Sequence, residues 1–364
     1  MCGRYASARK RIELLEEFSV QRDRVIEELE PDYNVAPTKP VYAVLSRRPR
    51  PQDDAAPGQR AAPDQQAGPG PQAGPGRRAG PDQPTGPDQP DAVRELRVVR
   101  WGLVPSWAKD ISIGSRLINA RSETLSEKPS FKRAFARRRC LLPADGYYEW
   151  LKPADGPGQA TLADGPGRAT PGQAPAGQAP AGQAPAGKTP AGKARPAKQP
   201  FYISRGDGGP LAFAGLYELW RDHRHPDGDP DAWLWTATII TTTAPDDLGR
   251  IHDRMPMVID PGSWDDWLDP GHSDVEDLRG LLAPAVTGGL TSYPVSLTVN
   301  SVRNNGPELV EPIELSETQL AALGLADEGP GSGYATPLGA PADYARRRGG
   351  TSEAVSGSEP DTLF

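Results

Sequence analysis

Residues 140–152 read CLLPADGYYEWLK, and the chain on either side of them decides the fold. Apolar and aromatic side chains dominate from 140 to 150, a composition that suits a pleated strand, and one strand is expected across it. Beyond it, residues 153–199 contain tandem APAGQ and APAGK repeats from Ala174 to Lys193, and strand-like alternation returns only at PFYIS, residues 200–204. Two strands around such a tract read as a hairpin with a greatly lengthened loop. The closure entropy of a loop grows slowly with its length, so the fold can stay intact around the insertion.

Working outward, further strands are expected at 41–46, 96–103, 201–204, 211–219, 233–242, 257–259 and 292–299. A helix is expected at 8–18, where Ile12, Leu14, Leu15 and Phe18 form an apolar stripe, and short helices at 128–136, 245–251, 262–268 and 275–282. Strands outnumber helices and do not alternate with them one for one. The expected class is α+β: one mixed, mainly antiparallel domain of barrel-like twisted sheets with flanking short helices.

The 40 glycines and 42 prolines of the 364 residues are concentrated where a core cannot form. Residues 49–92 and 153–199 and a tail at 327–364 hold few large apolar side chains and are expected to be disordered. The three remaining pieces carry all eight tryptophans and make up the domain assigned to 1–326. The two cysteines, Cys2 and Cys140, form neither a disulfide framework nor a thiolate metal site, and no metal or cofactor is expected. With no apolar run of membrane-spanning length and no leader pattern, the expectation is a soluble monomer of the reducing cytoplasm, free of the membrane. A net charge of −7 argues mildly against a nucleic-acid partner. Against it stands KPSFKRAFARRR at 128–139, which has six basic residues and no acid, although a solvated helix face would look the same.

The candidate chemistry begins at Met1-Cys2-Gly3-Arg4. Removal of Met1 would leave Cys2 with a free amine, ordinarily titrating near ~7.7 to 8.0, beside a thiol near ~8.5. Such an aminothiol attacks acyl carbon through sulfur, or condenses with an aldehyde through both atoms to close a thiazolidine. Elsewhere, Glu149 lies between two aromatics, where burial would raise its pKa toward a value useful for proton transfer; a solvated strand carboxylate is the bland alternative. His252 breaks a helix-to-strand junction and suits a structural hydrogen bond as well as catalysis. Asn119 would also serve as a turn or cap residue, and Arg4 and Arg121 as surface charges.

Taken together, the ordered segments Met1-Cys2-Gly3-Arg4-Tyr5, Asn34-Val35-Ala36-Pro37, Trp101-Gly102-Leu103-Val104-Pro105, Asn119-Ala120-Arg121-Ser122-Glu123-Thr124, Asp145-Gly146-Tyr147-Tyr148-Glu149-Trp150 and His252-Asp253-Arg254-Met255-Pro256 resemble the SOS response-associated peptidase (SRAP) family of abasic-site processing proteins. The resemblance implies a partner, single-stranded DNA containing abasic sites, with association with the nucleoid where that DNA is damaged. It implies a thiazolidine crosslink through Cys2, with Glu149 as acid and base, Asn119 holding amine and sugar, and His252 protonating the sugar oxygen. It further implies phosphate contacts from Arg4 and Arg121, and base contacts from Pro37, Trp107 and Trp150. Autoproteolytic removal of Met1 and lyase-like strand cleavage accompany that reading. The competing reading is an N-terminal-nucleophile glutamine amidohydrolase using Cys2; a noncatalytic single-strand binding module is a third.

Overall fold

The computed structural model describes residues 2–48, 92–153, 198–282 and 289–325. Apart from their edge residues, the insertions expected at 49–92 and 153–199 lie outside the described residues, as does the tail expected at 327–364. In chain order the strands are β1 (Tyr5–Ser7), β2 (Arg22–Asp23), β3 (Asp32–Val35), β4 (Pro40–Arg47), β5 (Val93–Trp101), β6 (Asn119–Arg121) and β7 (Arg139–Ala144). They continue with β8 (Gly146–Leu151), β9 (Gln199–Arg205), β10 (Leu211–Arg221), β11 (Trp233–Thr243), β12 (Arg254–Pro256) and β13 (Leu290–Pro294). The helices are short: α1 (Arg11–Glu17), α2 (Lys132–Arg137), α3 (Asp246–Gly249), α4 (Trp264–Leu268), α5 (Val275–Gly280) and α6 (Glu317–Leu323).

Strand periodicity sorts the core into two faces. On β4, Val41, Ala43 and Leu45 enter one apolar cluster while Tyr42 and Val44 enter another. This is the two-residue period of a strand covered on both sides. Strands β5, β4, β7, β10 and β11 pair in that order, and a parallel pairing of β11 with β5, Thr236 to Arg100 and Ala237 to Trp101, closes them into a ring. Strands β2, β6 and β12 extend this sheet, and α1, α2, α4 and α5 contribute to the second cluster. A second sheet, ordered β13-β9-β8-β1-β3, shares the first cluster through Tyr5, Tyr147, Phe201 and Ile203.

The strand expected at 140–150 is two strands in two different sheets. β7 belongs to the ring and β8 to the second sheet, and the chain changes sheet at Asp145-Gly146. The Asp145 carboxylate accepts from the Ala8 N–H at 2.6 Å and pairs with Arg9 at 3.0 Å. At Gly146 a Cβ would stand 2.4 Å from Tyr202 Cζ and 2.6 Å from the Ile203 carbonyl, so close approach of β9 requires glycine here. The strand expected at 257–259 instead lies at β12; Val258 makes only an isolated bridge to Phe213. The one expected at 292–299 ends at Pro294, after which Ser296 caps a 3-10 turn over Leu297–Asn300. The basic run at 128–139 is partly structural. Buried Arg139 donates to the carbonyls of Phe135, Ala136, Trp267, Asp269 and His272, and burial lowers its pKa to about 10. No helix among the described residues is long and apolar enough to cross a membrane.

Candidate active site

Cys2 is fully buried and shares the first core cluster with Tyr5, Trp101, Tyr147 and Phe213. The backbone of Cys2 is fastened from the ring. Asn119, the first residue of β6, is held in parallel register with Ile239 of β11 and donates its Nδ2 to the Cys2 carbonyl at 2.7 Å. Its Oδ1 is buried and meets no hydrogen-bond partner among the described residues. The amide is thus anchored through nitrogen, with an acceptor left over beside the chain terminus.

β8 supplies the carboxylate by alternation. Tyr147 and Leu151 point into the first cluster while Tyr148 and Trp150 lie against the third, which places Glu149, between them, on the Cys2 side. Glu149 is 4% exposed, and its pKa is pushed up to about 7, first by burial and against the pull of the chain's α-amino charge. Burial and the Glu149 carboxylate in turn push the Cys2 thiol well above its usual range. Two buried ionisable groups whose charges bear on each other are thus both held away from their ordinary ranges.

His252 arrives from the turn before β12. Its Nδ1 accepts from the Arg254 N–H at 3.0 Å and lies 2.9 Å from Asp253 Oδ1. The first contact assigns the neutral ring's proton to Nε2; on protonation Asp253 can accept from Nδ1. Burial lowers the His252 pKa, and the α-amino charge adds to that. The same loop is braced by Arg254, which grips Glu123 through both terminal nitrogens at 2.6 and 3.0 Å.

The DNA-contact candidates divide. Half-buried Arg4 donates through one nitrogen to Asn34 Oδ1 at 2.6 Å and to the Val299 carbonyl at 3.0 Å, and lies over the Trp150 ring at 5.9 Å. Trp150 donates to Asn300 Oδ1 at 2.7 Å, so Arg4 and Trp150 share one platform. Arg121 is exposed at the end of β6, two residues from Asn119. Half-buried Pro37 precedes Thr38, whose φ of 73° and hydrogen bond to Trp101 fix the turn before β4. Trp107 is 60% exposed but stands apart. Its loop is anchored where Ala108 accepts from Trp220, whose partner Leu234 lies five residues along β11 from the partner of Asn119, roughly 16 Å away.

Asn34 is a residue whose role the sequence did not disclose. Fully buried, it donates to the carbonyls of Val299, Ser301 and Asn304 besides receiving Arg4, tying the 297–304 loop to the start of the chain. Its polar motif was visible, but a pairing across 265 residues leaves no local signal. Among the described residues no three His, Cys, Asp or Glu side chains cluster as metal ligands.

This terminus, with the Asn119 amide on the Cys2 carbonyl and the Glu149 carboxylate bearing on its thiol, is matched by the family profile described as SOS response associated peptidase (SRAP) over residues 1–164 and 190–302. The chain belongs to the SRAP family. Among the similar relatives of this SRAP chain, the abasic site processing protein YoqW of Bacillus subtilis (strain 168) is 32% identical over 311 residues, covering 85% of the chain and 99% of YoqW. The abasic site processing protein HMCES of Gallus gallus is 31% identical over 227 residues, 61% of the chain and 59% of HMCES. A solved protein from Bacteroides thetaiotaomicron superposes with a TM-score of 0.53 at 21% identity, covering 86% of the chain and all of that protein, which supports the fold.

Proposed function

We propose that this chain processes abasic sites by capturing them covalently in single-stranded DNA as a thiazolidine at Cys2, after removal of Met1. The observation that carries the reading is the buried Glu149, balanced at about 7 and acting on a Cys2 whose backbone is clasped by Asn119. Relatives matched over 85% of the chain and nearly all of their own length are named abasic site processing proteins, which supports the substrate class.

In the reaction, the Cys2 amine adds to the aldehyde carbon of the ring-opened sugar. Glu149 relays one amine proton to the carbonyl oxygen, which becomes a hydroxyl, and then the second to that hydroxyl, so that water leaves and a neutral Schiff base remains. The thiol then gives its proton to Glu149, sulfur bonds to the imine carbon, and the nitrogen recovers the proton. His252, protonated at Nε2 when neutral, donates to the sugar oxygen during opening and reclosure. Elimination from the same Schiff base would cut the strand, so lyase-like activity belongs to this proposal, as does self-cleavage behind Met1.

Exposed Arg121 and the Arg4–Trp150 platform would receive phosphates and flanking bases irrespective of sequence, with affinity falling as salt rises. In the amidohydrolase alternative, Glu149 and His252 have no assigned task. The test mixes the protein with glycosylase-treated, uracil-containing single-stranded DNA. A shifted band that survives denaturation and vanishes in Cys2→Ala is expected. Glutaminase activity without that band would transfer the assignment to the amidohydrolase.

A further inference from the structure

Tyr5 and Tyr147 are cross-strand partners on β1 and β8. Both rings are fully buried in the cluster that holds Cys2, and both stand edge-on to Phe213, with centroids 5.8 and 6.0 Å away. Their hydroxyls are buried and meet no hydrogen-bond partner among the described residues. Phenylalanine would fill either position with the same ring and without the penalty of an unpartnered hydroxyl. Two such hydroxyls, on paired residues of the cluster that also holds a candidate nucleophile, call for a chemical reason.

We propose that Tyr5 and Tyr147 are positioning residues for the Cys2 sulfur, their O–H groups donating to it once it becomes a thiolate. This rests on Cys2 as the nucleophile of the preceding section. The groups acting on that sulfur are Glu149 from β8, the Arg4 carbonyl 3.9 Å away and the α-amino charge, and the sulfur in turn bears on the phenols of Tyr147 and Tyr5. Burial and Glu149 both oppose ionisation of the thiol. A nucleophile so placed needs compensation, and neutral donors supply it without adding a charge that would have to be desolvated as well. Burial first, then Cys2 itself, holds both phenols far above their ordinary range, so they remain donors at neutral pH. In the ring-closing step the thiol proton passes to Glu149, the two phenols hold the sulfur anion, and the C–S bond forms as the imine π electrons move to nitrogen.

The test is a pH titration of thiolate absorbance near 240 nm in the full chain, each protein read as its difference from the matching Cys2→Ala variant. Tyr5→Phe, Tyr147→Phe and the double variant are compared with wild type. Each substitution should raise the Cys2 midpoint by about one pH unit and slow thiazolidine formation on the order of tenfold at neutral pH. Borohydride-trapped Schiff base should form at an unchanged rate, and thermal stability should hold or rise, as a merely structural hydroxyl would not require. Midpoints superimposed on wild type in both single variants would overturn the proposal, whether or not the double variant folds. A shifted midpoint in a protein that never crosslinks DNA would sustain the phenol role and reject abasic-site capture, so the two failures are separable.

Discussion

At the residue scale, the burial that suits Glu149 to proton transfer carries a stability cost. Its folded pKa, about 7, lies above the ordinary 4.5, so the folded state binds the extra proton. The sign follows: the fold loses stability as pH rises from about 4.5 to about 7, and the full loss persists above that. The shift corresponds to about 3 kcal/mol. Glu149→Gln removes the ionisable group and keeps the shape. Its melting temperature should match wild type near pH 4.5 and exceed it by several degrees at pH 8, while crosslinking slows a hundredfold or more and DNA affinity stays nearly constant. Calorimetry at the two pH values and a filter-binding assay check this; parallel loss of stability and affinity would make Glu149 structural. In wild type, crosslinking should rise through pH 7 as the carboxylate forms. The residue itself was legible in the sequence, because a carboxylate between aromatics on a strand is an anomaly that asks for a reason. The phenols of Tyr5 and Tyr147 were not, since an aromatic at a strand position reads as core.

At the element scale, the crossing from β7 to β8 bears most of the architecture. Gly146→Ala would drive a methyl against the Ile203 carbonyl, which is backbone and cannot rotate away. A loss of about 2–4 kcal/mol is expected, together with impaired crosslinking, because β8 carries Glu149. Urea unfolding measures it; a change under 0.5 kcal/mol would mean that β8 and β9 part without cost. The sequence supplied the apolar content of 140–150 but not the change of sheet. Its causes are a carboxylate caught by Ala8 and Arg9 and a ring from Tyr202, partners 137, 136 and 56 residues away. The short strands β1, β2, β3 and β6 were missed for a related reason. A segment such as Asn119-Ala120-Arg121 has no period of its own and is extended because β11 pairs with it. Longer strands with two apolar faces, such as β4 and β11, were readable from composition alone.

At the scale of the whole molecule, both long insertions leave and re-enter at paired strand ends. Arg47 faces Val93 across β4 and β5, and Leu151 faces Gln199 across β8 and β9. Replacing 155–196 by a four-residue Asn-Gly turn linker should therefore leave crosslinking within about twofold of wild type and the melting temperature unchanged or slightly raised. An insoluble product would show that the intervening chain takes part in the fold. The ring invites a different expectation. Its parallel closure consists of Thr236 with Arg100 and Ala237 with Trp101, continued by β6, the strand that starts with Asn119. A seam of two parallel pairs is expected to open at a lower free energy than the whole. Because the Trp101 indole donates to the Ile118 carbonyl there, its fluorescence, taken as the difference from a Trp101→Phe protein that keeps the other seven tryptophans, reports the opening. On warming, loss of crosslinking and a Trp101 signal should precede the loss of far-ultraviolet ellipticity. The reactive terminus would then act as the molecule's own thermal fuse, letting go of its chemistry while the scaffold still stands.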